Sequence, residues 1–267
     1  MRTTISRKAT MGFLAVLLVG VIASAAAAAL DQDELSRRLT GARAGRTRAV
    51  PTKTPPAPVR DTFLLGRSVQ GRPIRAVEAG RRHRPIILVV GCIHGNEPAG
   101  IAVARDLATD PAPRHLLLWL VPEVNPDGVA AGTRQNARGV DLNRNFPWGW
   151  QPIGHPGDLH YSGPRPLSEP ESRIASALIL RIRPDVTIWF HQHQDVVDLS
   201  GGSAAIERRY ARLTGMPIAR LPRYPGSAAG WQDHRLPGTT AFVVELPAGS
   251  LDGRGVERFS DAVLRLL

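Results

Sequence analysis

The sequence predicts an α/β fold in which helices cover both faces of a mixed, mostly parallel sheet. Short apolar runs recur along the chain, as expected for buried strands, and segments with helical periodicity lie between them. Strands that alternate with helices favour a largely parallel or mixed sheet. In such a sheet the functional loops belong at the carboxyl ends of the strands.

The first half of the predicted domain contains most of the strands. Residues 63–78 indicate two strands around a turn at Gly71. Residues 85–91 are an apolar run that is typical of a buried strand. Residues 98–107 predict a helix that begins with a proline, and residues 116–121 predict the next buried strand.

The second half predicts one further helix and two further strands. Ser168 is a suitable N-cap, and Glu171 completes a capping box for a helix that continues to Arg181. Residues 186–190 and 241–246 are apolar and predict two more central strands.

The N-terminus is typical of an export signal. Arg2, Arg7 and Lys8 precede an uncharged, mostly apolar run over residues 11–30 that ends in small residues. The run is also long enough to span a bilayer, so an uncleaved anchor is the alternative to a cleaved signal peptide over residues 1–30. Either interpretation predicts a secreted or cell-envelope protein.

Residues 31–60 predict a basic, proline-rich linker, because their composition cannot bury a core. The net charge is +11, but residues 1–60 hold ten basic and three acidic residues, which leaves only +4 on residues 61–267. This distribution, together with the lack of a basic motif interleaved with aromatics, argues against nucleic-acid binding. The arm could instead associate with an anionic cell wall or membrane. Residues 61–267 are long enough for one catalytic domain.

Two candidate zinc ligands, His94 and Glu97, follow the strand that ends near Gly91. A catalytic zinc site uses three protein ligands and one water. His191 is the preferred third ligand, because it directly ends the strand over residues 186–190. His193 is the alternative, since alternate residues of an extended segment face the same side. The lone cysteine, Cys92, permits no intrachain disulfide, and we interpret it as a small buried residue rather than a catalytic thiol.

A carboxylate in an apolar strand is the candidate general base. Glu245 interrupts the strand over residues 241–246, and a buried carboxylate without a partner is costly. Hydrolytic chemistry explains it more readily than a structural ion pair with an arginine, which is the alternative. Arg134 and Arg144 lie between the candidate ligands in the chain, and guanidinium groups can bind carboxylates or stabilise an oxyanion. Most of the chain's arginines are nevertheless expected to be solvated surface residues.

Taken in order, the motifs resemble the carboxypeptidase-A-like zinc peptidases, and more closely their short bacterial branch, the murein peptide amidase A type. The matching segments are His94–Glu97, Asn125–Gly128, Arg134 with Asn136, Gly139–Pro147, Tyr161–Gly163, Ser168–Glu171, His191 and Glu245–Pro247. Each segment is modest alone, but the ordered set is specific and covers nearly all of residues 61–267.

The resemblance implies a zinc carboxypeptidase-like fold and a role for each matching position. His94, Glu97 and His191 would hold one zinc ion. Glu245 would activate the attacking water and pass its proton to the leaving amine. Arg134 would polarise the scissile carbonyl and stabilise the oxyanion.

Substrate-binding roles are also implied by the resemblance. Asn143 and Arg144 would bind the free carboxylate of the terminal residue of the substrate. Tyr224 would be the mobile tyrosine that closes over the substrate, although the residues around it do not align cleanly. The segment over residues 227–231 is small and uncharged, so specificity for diaminopimelate comes from the resemblance and not from this segment.

The motifs and the export signal together predict an exported zinc amidase or carboxypeptidase, and the resemblance implies that it acts on murein peptides, at the bond between γ-D-glutamate and meso-diaminopimelate. The alternative enzyme is a zinc deacylase like aspartoacylase or succinylglutamate desuccinylase, which the segments around Asn143 and Ser168 disfavour. A third interpretation, a wall-binding domain without catalysis, is disfavoured because all three ligands and the base are present. The sequence predicts no oligomeric state.

Overall fold

The structure, a computed structural model, describes residues 59–109 and 113–267. These residues belong to a unit that spans Pro55–Leu267. Within the described ranges, no helix is both long and apolar enough to cross a membrane.

The predicted export signal over residues 1–30 lies outside the described residues, as does the predicted linker over residues 31–60 except for its last two positions. Those interpretations remain predictions. The first described strand begins at Val59, two residues before Asp61, where we expected the domain to begin.

One eight-stranded sheet forms the centre of the domain. Its strands, in chain order, are β1 (Val59–Arg67), β2 (Pro73–Gly80), β3 (Ile86–Val90), β4 (Leu117–Val121), β5 (Val186–Gln192), β6 (Val196–Asp198), β7 (Ile218–Ala219) and β8 (Thr240–Leu246). They are arranged in the order β1-β2-β4-β3-β5-β8-β6-β7. The central strands β4, β3, β5 and β8 are parallel, whereas β1 and β2 on one side and β6 on the other join through antiparallel pairs. The predicted mixed, mostly parallel sheet is confirmed.

Helices connect and cover these strands. They are α1 (Ala99–Thr109), α2 (Pro126–Ala131), α3 (Pro170–Ile182), α4 (Ala204–Thr214), α5 (Ala228–Arg235) and α6 (Gly253–Leu264), with one 3₁₀ turn at Leu142–Arg144. Alternate strand residues face opposite sides, and two separate apolar clusters result. One cluster packs the sheet against α1, α4 and α6, and the other packs it against α3 and α5. Helices thus cover both faces, as predicted.

The capping box predicted for α3 is wrong. The residue before the helix is Glu169, not Ser168, and it makes no side-chain cap hydrogen bond. The carboxylate of Glu171 instead accepts hydrogen bonds from the backbone N–H of Val69 and from the side chain of Asn136. Tertiary partners therefore replace the local cap, and this carboxylate ties the start of α3 to two distant segments.

Candidate metal centre

The loop between β3 and α1 places His94 beside Glu97. The backbone N–H of Glu97 donates to the carbonyl of His94 at 2.9 Å, which closes a tight turn. A Cβ atom on Gly95 would lie 1.8 Å from the carbonyl carbon of Gly128, so the loop packs backbone against backbone on α2. Glycine is required there, and this contact fixes the turn that carries both side chains. His94 Nδ1 lies 3.0 Å from Glu97 Oε2.

His191 completes a group of three candidate ligands. It lies within β5, and its Nδ1 is 2.8 Å from Glu97 Oε2 and 3.1 Å from His94 Nδ1. One candidate ligand atom from each of the three residues lies within 4.8 Å of the others, and all three residues are buried. Two imidazole nitrogens that converge with a carboxylate oxygen match the donors of a catalytic zinc site. The three predicted ligands therefore fit a single zinc ion.

His193 does not join this group. The structure places it in an exposed segment after β5, where it lines the mouth of the adjoining cleft. The preceding peptide bond, between Gln192 and His193, is cis. The side chain of Gln192 accepts a hydrogen bond from Ala99 N–H and donates to the carbonyls of Pro247 and Gly249. This residue, which the sequence analysis did not single out, ties the ends of β5 and β8 to the start of α1.

Asp141 is a second residue to which the sequence analysis assigned no role. Its Oδ1 lies 3.0 Å from His94 Nε2, on the far side of the ring from the ligand cluster, and its Oδ2 accepts from Arg134 Nε at 2.9 Å. A carboxylate in this position fixes the tautomer and the orientation of a metal-ligating histidine. The position of Asp141 within the Gly139–Pro147 motif could have indicated a role. Its contact with His94 joins residues that are distant in the chain, so it could not be predicted from the sequence.

Burial and neighbouring charges have opposite effects on the pKa values of the two carboxylates in this cluster. Burial alone would raise the pKa of Asp141, but the neighbouring His94, Arg134 and Arg144 outweigh it and hold the pKa well below its usual range. Burial would likewise raise the pKa of Glu97, and hydrogen bonds from His191 and His94 lower it instead. Both carboxylates are therefore ionised, as metal coordination and its supporting contacts require.

Arg134 is adjacent to the candidate ligands. Its Nη1 donates to Glu97 Oε1 at 3.0 Å, in addition to the contact of its Nε with Asp141. The side chain is 16% exposed and lines the cleft. The guanidinium is thus held at the edge of the cluster and faces the cleft.

Glu245 lies directly opposite His191 in the pairing of β5 with β8. Because the two residues are directly paired, both side chains project from the same face of the sheet, and both line the cleft. Glu245 is 8% exposed, and its Oε2 is buried without a hydrogen-bond partner among the described residues. The alternative, a structural ion pair, is not found for this oxygen.

Arg144 and Asn143 lie in the 3₁₀ turn, close to Tyr224. Asn143 Oδ1 accepts from the backbone N–H of Ala228, and Arg144 Nη1 donates to the carbonyl of Asn143. Arg144 is 4% exposed, and burial is the main cause that lowers its pKa. The guanidinium carbon of Arg144 lies 4.1 Å from the ring centroid of Tyr224. All three residues predicted to bind the substrate line the cleft.

These residues face one cleft of about 970 Å³, which is large enough for a peptide fragment. The three candidate ligands, Glu245, Arg134, Asn143, Arg144 and Tyr224 all line it. Cys92 does not, because it is fully buried and its thiol donates to the carbonyl of His94. Burial raises the pKa of the Cys92 thiol, which agrees with the interpretation of a buried structural residue.

Comparisons with known proteins also support a zinc site. The model of the zinc carboxypeptidase family matches residues 58–208. Murein peptide amidase A of Vibrio campbellii is 30% identical over 235 residues, which cover 79% of this chain and 91% of the relative. Murein peptide amidase A of Escherichia coli K12 is 30% identical over 187 residues, which cover 64% of this chain and 75% of the relative.

Solved structures show the same fold. The crystal structure of a murein-tripeptide amidase from Escherichia coli O157 has a TM-score of 0.61 and 28% identity, and the match covers 82% of this chain and 96% of that one. A succinylglutamate desuccinylase from Silicibacter has a TM-score of 0.57 at 17% identity, with 80% and 70% coverage. The second likeness shows a shared fold and nothing about the reaction.

Proposed function

Because the chain belongs to the zinc carboxypeptidase family, we propose that it is an exported amidase that releases meso-diaminopimelate from murein peptides by cleaving its bond to γ-D-glutamate. The chain is a metallohydrolase of the murein peptide amidase and carboxypeptidase type. The choice of bond is part of the proposal, and so is export, which rests on residues 1–30 alone.

The observation that carries the proposal is the position of Glu245 beside the three candidate ligands, with Arg144 in the same cleft. A bound zinc ion would act as a Lewis acid and lower the pKa of the attacking water. Glu245 lines the cleft beside the candidate ligands, so its carboxylate can accept the proton of that water and return it to the leaving amine.

Two arginines have the remaining roles, which are to stabilise the developing negative charge and to bind the terminal carboxylate of the substrate. Arg134 is held beside Glu97 and Asp141, so its guanidinium can donate to the carbonyl oxygen as negative charge develops there. Arg144, buried and positioned next to Asn143, provides the positive charge that binds a free terminal carboxylate. The substrate would then be fixed at its terminus while the bond one residue away is cut.

The assay is incubation of the purified protein with the murein tripeptide L-alanyl-γ-D-glutamyl-meso-diaminopimelate. We expect free diaminopimelate to accumulate, to stop when a chelator removes the metal, and to resume when zinc is restored. An Asp106→Asn protein serves as a control, because Asp106 lies on α1, on the opposite side of the sheet. The substrate assignment fails if no zinc-dependent diaminopimelate is released.

Export is tested separately, with residues 1–30 fused to a reporter enzyme that is active only outside the cytoplasm. We expect reporter activity from the native segment and its loss when Leu17→Arg places a charge in the apolar run. Reporter activity that is equally low for both segments would contradict export and leave the assignment of the reaction intact.

A further inference from the structure

His160 lines the cleft and has no role in the proposed reaction. Its side chain is 49% exposed, and its Nδ1 lies 3.3 Å from Asp141 Oδ2. Its other ring nitrogen, Nε2, has no hydrogen-bond partner among the described residues. A protonated imidazole is a donor at both nitrogens, so this ring can contact Asp141 through one nitrogen and a ligand through the other.

The backbone on both sides of His160 is fixed by hydrogen bonds. The carbonyl of Leu159 accepts from the side chain of Gln135 at 3.2 Å, and the carbonyl of Tyr161 accepts from the backbone N–H of Asp141 at 2.8 Å. These contacts hold the segment that carries His160 against the loop that carries Asp141. The imidazole is therefore presented to the cleft from a defined position, which reduces the entropy lost when a ligand binds.

Two other histidines line the cleft besides the candidate ligands, and they differ from His160 in their contacts. His193 is exposed and has no hydrogen bond or ion pair with any residue that the structure describes. The ring of His234 stacks on Trp148, with 5.3 Å between the ring centroids. His160 is thus the cleft histidine that contacts the carboxylate holding Arg134.

His160 and Arg134 contact the same oxygen. Arg134 Nε donates to Asp141 Oδ2 at 2.9 Å, and His160 Nδ1 lies 3.3 Å from that oxygen, so these two nitrogens are no more than about 6 Å apart. Arg134 is the residue proposed to contact the scissile carbonyl, whereas Arg144 is proposed to bind the terminal carboxylate on the leaving side. His160 is therefore a neighbour of the residue that contacts the carbonyl.

The proposed substrate carries a second free carboxylate close to the scissile carbonyl. Because its D-glutamate is linked through the γ-carboxyl group, the α-carboxylate stays free on the acyl side of the bond. Four covalent bonds separate the two carboxyl carbons, a span of about 5 Å, which is compatible with the spacing of Arg134 and His160. We propose, on the basis of the proposed function, that His160 binds this α-carboxylate and selects acyl groups in which it is free.

The test compares two tripeptides that differ by one group on the acyl side. One is L-alanyl-γ-D-glutamyl-meso-diaminopimelate, and the other is its D-isoglutamine analogue, in which the α-carboxylate is an amide. The zinc-loaded native protein is compared with His160→Gln, which cannot become charged, and with His193→Gln, the matched loss of another cleft histidine. The values of kcat and KM are measured for each pair, and the zinc content of every sample is determined.

We expect the native protein to prefer the free carboxylate about tenfold in kcat/KM, which is the lower end of the effect of a hydrogen bond between charged groups. His160→Gln should lose this preference through a higher KM for the free carboxylate, whereas His193→Gln should keep it. Calorimetric titration with the product dipeptide L-alanyl-D-glutamate gives a readout without turnover. We expect His160→Gln to bind this dipeptide about tenfold more weakly than the native protein does.

The outcomes separate this inference from the proposed function. If the native protein cleaves neither tripeptide, the proposed function fails. If it cleaves both equally well, the proposed function stands and the selection by His160 is refuted. If His160→Gln lowers kcat/KM for both tripeptides by the same factor, His160 acts only through Asp141 and does not bind the carboxylate. Loss of the preference in His193→Gln, with its retention in His160→Gln, would assign the α-carboxylate to His193 instead.

Discussion

The ring of Tyr224 covers the guanidinium of Arg144, with 4.1 Å between the guanidinium carbon and the ring centroid. Tyr224 is 49% exposed, whereas Arg144 is 4% exposed. The tyrosine therefore shields from solvent the charge that is proposed to bind the substrate's terminal carboxylate. Stacking leaves the edge of the guanidinium, which carries its N–H donors, available for a fork-like contact.

Tyr224→Ala should raise KM for murein tripeptide about tenfold, because the charge of Arg144 loses its cover and its stacking partner. Tyr224→Phe keeps the ring and should remain within about twofold of the native protein on the same grounds. Steady-state kinetics of the two variants decide the point. If Tyr224→Phe impairs turnover as much as Tyr224→Ala does, the hydroxyl of Tyr224 acts on the substrate and the stacking role is wrong.

Arg144→Gln should lower kcat/KM for a peptide with a free terminal carboxylate about 10- to 100-fold, which is the usual effect of losing one charge-assisted contact. The same peptide with an amidated terminus lacks the carboxylate that this arginine would bind. The kcat/KM values of the variant for the two peptides should therefore be nearly equal. A native-like preference for the free carboxylate in Arg144→Gln would place the carboxylate elsewhere in the cleft.

Glu245→Gln should lower kcat by about 10²- to 10⁴-fold, because an amide cannot accept the proton of the attacking water. The substitution preserves shape, and Glu245 Oε2 has no described partner to lose, so the protein should fold and retain zinc. Metal analysis and kinetics on the same sample are required. Unchanged turnover with zinc in place would remove Glu245 from the role of general base.

Asp141→Asn should weaken zinc binding about 10- to 100-fold, because the ring of His94 loses the charged partner that orients it. Competition with a chromogenic chelator measures the affinity directly and does not depend on turnover. Asp106→Asn removes one carboxylate on the far side of the sheet and should bind zinc as the native protein does. Equal affinities for the native and Asp141→Asn proteins would contradict the orienting role.

The stability of the domain should depend on Asp233 between about pH 4 and pH 7. The pKa of its carboxyl is raised to about 7 in the folded protein, by burial first and by the charge of Glu207, against opposing effects of the Ala241 N–H and Arg223. An unfolded aspartate titrates near pKa 3.9, so the folded state binds the proton more tightly. The resulting stability is fully present below pH 4 and is lost as the pH rises through 7.

Asp233→Asn removes this dependence. Relative to the variant, the native protein should lose up to about 4 kcal/mol between pH 4 and pH 8, as judged by chemical unfolding in saturating zinc. Asp261→Asn, an exposed control, should follow the native curve. Parallel curves for the native and Asp233→Asn proteins would show that Asp233 titrates normally in the fold.

The elements that could be predicted from the sequence are those whose own residues show a clear pattern, such as an apolar run. The strand that precedes His94 and the strands that carry His191 and Glu245 are apolar runs, and a carboxylate inside such a run is conspicuous. The short strands β6 and β7, with three and two residues, carry too little periodicity to be recognised. Helices α2, α4, α5 and α6 were also not predicted.

The contacts that the sequence could not predict are tertiary. The capping box expected of Glu171 has the correct spacing, but Val69 and Asn136, far away in the chain, take its carboxylate. Asp141 is one polar residue in a polar segment until the fold brings it to His94. Asp233 likewise becomes distinctive only because α5 buries it over the start of β8.

The alignment of His191 with Glu245 has a consequence for how activity is lost. A slip of one residue between β5 and β8 would turn one of these side chains to the opposite face of the sheet, so no partly shifted arrangement retains both. Activity in rising denaturant should therefore disappear in step with the far-ultraviolet circular dichroism signal of the domain. Turnover then reports the cooperative integrity of the whole domain, and its midpoint can serve as a measure of folding.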